Sequence, residues 1–282
     1  YPLGAIVGGA IASALLAYFD WRAVFVLGAG LTATFIPIAW FLLPESISFL
    51  VERQPKNALQ RVNQTLQRMG HAAIDVLPAR TVESGQAGMA RLFKPDLRRT
   101  TILLTAAFFT HIMTFYFFVK WIPKLVVDMG YAASLAGSVL VWFNVGGLLG
   151  SVLFGLLTHK FRLPVLVITS FLVSAIAVIA FGQAPADLVS LSVTATIGGF
   201  SATAAIVGMY ATFAQSFPTP VRAGGTGFAV GFGRAGAAIG PIVAGLMFAA
   251  GGSLGLVAIV MAAGSIAAAV LIAGLRQTPV SD

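Results

Sequence analysis

The sequence predicts an all-α membrane protein with eight transmembrane helices. Apolar residues make up 58% of the 282, charged residues are only 9%, and there are 31 glycines. Soluble domains carry about 25% charged residues, because a water-facing surface needs them. The apolar residues fall into continuous runs close to the roughly 20 residues that an α-helix needs to cross a bilayer. Barrel strands are excluded, since they alternate and run to about ten residues.

The runs are Leu3–Phe19, Ala23–Leu43, Thr100–Val119, Ala133–Leu157, Leu163–Ala184, Leu188–Phe213, Thr226–Met247 and Leu254–Leu275. The first is short, and the chain opens on Tyr1 inside an apolar stretch, so part of the protein is expected to precede it. Pro44 to Arg99 is the only long polar segment and holds fourteen of the 26 charges. Within it, Pro55 and Gly70 can begin and end a short helix, and Ala58, Leu59, Val62 and Leu66 form its apolar stripe. His71 to Ser84 reads as a flexible linker. The expected domains are therefore 1–43, the last two helices of one bundle; 44–99, a cytoplasmic linker; and 100–282, a complete six-helix bundle.

Placing that linker in the cytoplasm puts Arg53, Lys56, Arg61, Arg68, Arg80, Arg91, Lys94, Arg98, Arg99, Lys160, Arg162, Arg222 and Arg276 inside. Arg22, Lys120 and Lys124 fall outside. This positive-inside bias predicts an inner (plasma) membrane protein with both termini of the chain cytoplasmic. The net charge of +8 is too scattered for a phosphate-binding stripe, so no nucleic-acid partner is expected. The absence of cysteine removes disulfides and thiolate chemistry. No metal-ligand cluster, paired carboxylate or nucleophile motif appears, so neither an enzyme nor a metal or other cofactor is expected.

Gly231-Phe232-Gly233-Arg234-Ala235-Gly236 fits the dinucleotide fingerprint in spelling only. It lies within an apolar span, with no preceding strand and no acidic residue about 20 positions on. Its glycines suit close helix packing instead, as do Gly227 and Gly231, Gly236 and Gly240, Gly4 and Gly8, and Gly146 and Gly150, each pair four apart. Gly240-Pro241 is an expected kink. Arg234 lies about 12 Å into its span at 1.5 Å per residue. A charge there faces a cavity or a partner, or it snorkels to the interface. His111 sits mid-span beside Thr110, Thr114, Phe115, Tyr116 and Phe118; it either relays protons and lines a cavity, or bonds a neighbouring helix. Asn144, Tyr210 and Gln215 are weaker candidates of the same kind.

An internal echo adds organisation. Gly4, Ala5, Gly8 and Ala12 repeat as Gly236, Ala237, Gly240 and Ala244, each set in the penultimate span of its block. Two parallel six-helix repeats joined by a cytoplasmic linker is a transporter plan. Gly4-Ala5-Ile6-Val7-Gly8-Gly9 with Asp20-Trp21-Arg22, Pro44-Glu45-Ser46, Trp121-Ile122-Pro123 and Phe217 through Gly227, continued by Gly231-Phe232-Gly233-Arg234, resemble the aromatic acid:proton symporters of the major facilitator superfamily. The resemblance spans the whole chain, as helices five to twelve. It implies the major facilitator fold and alternating access. The expected function is proton-coupled uptake of a small organic, aromatic acid by a monomer in the bilayer.

The resemblance also makes Arg222 and Arg234 transport residues and gives helix seven around His111 and Tyr116 a cavity-lining role. His159 and Lys160 depart from the family's Asp-Arg at the loop between helices eight and nine, which puts that gate in doubt. Sugar, drug or other organic-anion carriers and an inactive fragment are the alternatives.

Overall fold

The computed structural model describes residues 2–16, 18–78, 89–218 and 221–275. Their regular structure is helical throughout: α1 (Pro2–Leu16), α2 (Trp21–Leu42), α3 (Ile47–Arg53), α4 (Ala58–Arg68), a 3₁₀ turn (Met89–Phe93), α5 (Pro95–Asp128), α6 (Ala133–Leu157), α7 (Leu163–Gln183), α8 (Leu188–Ser216), α9 (Arg222–Gly233), α10 (Gly236–Ala249) and α11 (Leu254–Ala273). Seven spans among them are long and apolar enough to cross a membrane, with α9 and α10 together forming one. The described residues form two compact units, which divide between Val7 and Gly8 and between Gly88 and Met89.

In the unit from Gly8 to Gly88, Asp20 caps α2 by accepting from the Arg22 amide. The linker holds two helices rather than one. Ser46 caps α3 by accepting from the Phe49 amide at 3.1 Å. Gln54 then turns left-handed (φ 44°), as does Asn57 (φ 63°), so α4 starts at Ala58 and not at Pro55. Gly70 ends it with φ 76°, where a side chain would be strained. Leu50, Ala58 and Val62 are buried where α3 meets α4.

The segment after Gly70 differs from the expected free linker. Asn63 makes two 2.9 Å hydrogen bonds to the Ile74 backbone, donating to its carbonyl and accepting from its amide. Gln54 donates to the Pro78 carbonyl at 3.2 Å. An amide side chain mimics a strand partner here, and residues 71–78 are strapped back. The remainder of that expected linker, from residue 79, lies outside the described residues, as do Arg80, Thr219, Pro220 and Arg276.

In the other unit α5 is the central element. It packs against α6, α9, α10 and α11, while α8 joins α6 and α7, and α7 joins α11. It runs 34 residues, well beyond the apolar run of 100–119. Pro95 at its first turn and Asp96 near its N-terminus start it early. Ile122, Leu125 and Val126 continue its buried face past exposed Lys120 and Lys124. Trp121-Ile122-Pro123 is thus inside α5, not after it. The core gathers Phe115, Phe117, Phe118, Phe143, Phe181, Leu191, Val257 and Met261.

Glycines set the tightest approaches. A Cβ on Gly146 would overlap the Thr196 carbonyl, one on Gly150 the Phe200 carbonyl, and one on Gly199 the Phe143 carbonyl. α6 and α8 therefore meet backbone to backbone. Gly236 and Gly240 do the same against the carbonyls of Phe109 and Met113 on α5, each at 2.5 Å from a built Cβ. Gly227 and Gly231 do not: a Cβ at either meets nothing within 4 Å, and both are exposed. The buried face of α9 is carried by Gly225, Ala229 and Gly233, two residues out of step with that pair. Gly4 and Gly8 also meet nothing within 4 Å among the described residues. Small residues permit an approach, but only a facing helix makes one.

The expected kink at Gly240-Pro241 appears upstream as a break at Arg234–Ala235, between α9 and α10. Pro241 has no N–H for the Ala237 carbonyl, and its ring crowds that carbonyl. The chain before it re-pairs in tighter steps, with the Ala237 amide donating to Arg234 and the Ala238 amide to Ala235 at 2.9 and 3.1 Å.

Candidate transport site

Arg234 is the C-terminal cap of α9, with an exposed side chain at that break. The helix around it shows three faces. Gly225, Ala229, Gly233, Gly236, Gly240 and Ala244 are buried. Phe232, Ile239, Ile242 and Leu246 form an exposed row of large apolar side chains, as lipid contact requires. Gly227, Gly231, Arg234 and Ala238 form a second exposed row, spaced four, three and four, that is small and cationic. A face that avoids bulk and carries a charge is unsuited to hydrocarbon and suited to a hydrated or ligand-bearing surface.

One aromatic group lies beside it. The Phe108 ring of α5, 1% exposed, packs against Gly233. The same ring lies 5.9 Å from Tyr210 and 5.6 Å from Phe213 of α8. Tyr210 is 40% exposed, so its ring rests on the buried pair and keeps an open side. Phe108 thus contacts both Gly233, the residue before Arg234, and Tyr210. Phe108 gave no signal in the sequence, being one apolar residue in an apolar run.

Tyr116 and Asn144 make a second group, eight residues further along α5. Tyr116 is half-buried, with its ring 5.4 Å from Phe115, which is 5.7 Å from Phe143 on α6. Asn144, next to Phe143, is half-buried and donates to the Leu140 carbonyl of its own helix at 2.8 Å. Gln215 is exposed near the end of α8.

His111 does not join either group. It has no exposed surface; Nδ1 lies 2.9 Å from Ser265 Oγ on α11, and Nε2 lies 3.1 Å from the Ala202 carbonyl on α8. Accepting from the serine and donating to the carbonyl satisfies both nitrogens in one tautomer. Phe171 of α7 meets its ring edge-on, with the ring centres 4.8 Å apart. One turn on, Thr114 donates to the Met261 carbonyl at 2.6 Å. Of the two readings of His111, these bonds match the one that ties it to neighbouring helices: it contacts α7, α8 and α11 from α5. A lone histidine within an apolar span can meet its polar needs only on a neighbouring helix, which is what these bonds show.

The loop residues are placed as follows. Arg222 Nε donates to the Phe217 carbonyl at 3.2 Å and so closes the turn from α8 into α9. His159 and Lys160 are exposed in the turn after α6, and among the described residues neither side chain makes a hydrogen bond. No group of three or more metal-ligating side chains occurs among the described residues.

The fold is that of a multi-span, all-helical membrane protein. The family profile described as Major Facilitator Superfamily matches residues 1–140 and 103–282. The chain belongs to that superfamily, a family of carriers and not of enzymes. It is 25% identical to a gallate transporter of Pseudomonas putida over 99% of its length and 64% of the relative's. It is 27% identical to the 4-hydroxybenzoate transporter PcaK of Pseudomonas aeruginosa, over 98% of this chain and 62% of that one. The match to the 3-(3-hydroxy-phenyl)propionate transporter of Escherichia coli is 28% over 96% and 59%. A crystal structure of a double-tryptophan XylE mutant matches with a TM-score of 0.65 at 16% identity, over 97% of this chain and 61% of that one. That likeness supports the fold alone. The chain spans about three fifths of the length of these relatives.

Proposed function

We propose that the chain belongs to a secondary transporter that takes up a small aromatic acid with protons by alternating access. It would act as a monomer in the inner membrane, with both chain termini on the cytoplasmic side. The observation that carries this is Arg234, a cation on a small-residue face at a helix break, directly after Gly233, which packs on the Phe108 ring that lies 5.9 Å from exposed Tyr210. An aromatic carboxylate has the two matching parts: an anion for the guanidinium and a ring for stacking or edge contact. The named substrates of the relatives, gallate, 4-hydroxybenzoate and hydroxyphenylpropionate, share that pair of features. Sugars lack the anion that a guanidinium can pair with.

In this reading Arg234 neutralises the substrate carboxylate and Tyr210 contacts its ring. Tyr116 and Asn144 contribute from the second group, and Arg222 holds the α8–α9 turn. His159 and Lys160 stand at the loop after α6 as gate residues. Residues 1–43, 44–99 and 100–282 serve as the last two helices of one six-helix bundle, its linker and the second bundle. Proton coupling does not run through His111, whose two nitrogens are committed. Uptake of labelled 4-hydroxybenzoate by the full-length protein tests the proposal. It should be competed by benzoate and not by glucose, and Arg234→Ala should abolish it with the protein still in the membrane. Uptake that persists in that variant, or that glucose competes, overturns it.

A further inference from the structure

α9 and α10 are seated on α5 in different ways. α10 rides on backbone, with Gly236 over the Phe109 carbonyl and Gly240 over the Met113 carbonyl. α9 rests on rings from three elements: Phe108 of α5 under Gly233, Phe217 at the end of α8 under Gly225, and Phe93 of the 3₁₀ turn, 5.2 Å from Phe228. Rings can turn and backbone cannot, so α10 is the fixed half. Arg234 lies at the border between them. α10 begins two residues after it.

Trp121 holds α10 from the far end of α5. Its indole N–H donates to the Pro241 carbonyl at 3.3 Å. Its ring stands 3.4 Å from a Cβ built on Gly245 and 4.7 Å from the centre of the Phe248 ring. The tie falls at the proline. A helix that has lost an i→i−4 bond there and re-paired in tighter steps upstream bends more easily than a regular one. A donor fixed to the proline's own carbonyl removes part of that freedom. A tryptophan near a span end commonly anchors in the headgroup layer, but this indole is spent on a helix carbonyl and its ring lies along α10.

We propose that Trp121 is a positioning residue for Arg234: by tying α5 to α10 at Pro241, it sets the height and rotation at which the arginine meets the substrate anion. Arg234 lies seven residues, about two turns, before the tie, so a small rotation of α10 carries over to the guanidinium. The role rests on the reading of Arg234 as the anion partner.

The test uses the full-length protein with any upstream cysteines replaced, since this chain contains none. A cysteine at Ala238, one turn past Arg234 on the same exposed row, reports the pose of α10 through its rate of labelling by a maleimide. Trp121→Phe keeps the ring and removes the donor; Trp121→His restores a ring N–H; Gly245→Ala is a control, because its Cβ meets only ordinary contact. Losing one such bond should raise KM for 4-hydroxybenzoate by about fivefold with Vmax little changed, and should alter the labelling rate. The histidine should restore both, and Gly245→Ala should move neither. Labelling and KM unchanged in Trp121→Phe, or identical phenotypes for Trp121→Phe and Trp121→His, would overturn the role. Labelling that shifts in Trp121→Phe while Arg234→Ala still transports would leave the tie standing and remove the anion reading instead.

Discussion

Replacing His111 separates a structural clamp from a proton carrier. His111→Ala removes two cross-helix hydrogen bonds, one to Ser265 and one to the Ala202 carbonyl. Such bonds within membranes average about 0.6 kcal/mol and reach about 1.7, so the pair accounts for roughly 1–3 kcal/mol. The imidazole is fully buried against Phe171, and deleting it leaves a cavity worth about 2 kcal/mol more. Together these give a loss of roughly 3–5 kcal/mol. The assay is unfolding of the purified full-length protein in mixed micelles, with a double-mutant cycle against Ser265→Ala. The cycle should return a coupling of about 0.6–1.7 kcal/mol. Uptake per folded molecule should keep its KM and its pH profile. A coupling near zero, or a folded His111→Ala protein that has lost proton dependence, would refute the clamp.

Other outcomes follow from the same packing. Gly199→Leu should wedge α8 from α6 at the Phe143 carbonyl and cut the yield of folded protein severely, while Gly227→Leu, facing open space, should leave the yield unchanged. Size-exclusion profiles in detergent check both. Asn63→Ala should free residues 71–78 and raise their amide exchange by about tenfold or more, with α5–α11 unaffected, since two hydrogen bonds hold Ile74. Asp187 caps α8, and hydrogen bonds from the Ser190 backbone, then its side chain, hold its carboxyl below the usual range. Because that folded value is depressed, the cap's contribution is present above the ordinary carboxylate value and is lost as pH falls through the folded one. Wild-type melting should therefore approach that of Asp187→Ala only in strong acid.

Much of the fold could be read from apolar run length. α6, α7 and α8 start where their runs start, because the turns before them carry left-handed Gly130, the charged 159–162 stretch, and Pro185 with Asp187. α5 was underread at both ends, since charged Arg98, Arg99, Lys120 and Lys124 break the run while the helix continues beneath them. α3 went unseen because seven residues are too few for a periodic signal, and its Ser46 cap alone marks it.

Glycine pairs were legible as packing signals but not as to which had a neighbour: Gly236 and Gly240 meet α5, and Gly227 and Gly231 meet nothing. Arg234 stood out because a charge in an apolar span has few explanations. Phe108 and Trp121 did not, because their importance lies in what they touch. His111 was legible as a polar exception. Only the partners Ser265 and Ala202, 154 and 91 residues away, tell a clamp from a relay.

The central claim is that Arg234 is the anion partner of an aromatic acid. Its most direct test is binding of 4-hydroxybenzoate to the purified full-length protein, compared with its neutral analogue 4-hydroxybenzaldehyde, in wild type and in Arg234→Ala. The account predicts that the acid binds the wild type at least tenfold more tightly than the aldehyde, and that Arg234→Ala erases the difference. An acid preference that survives the loss of Arg234 would contradict it.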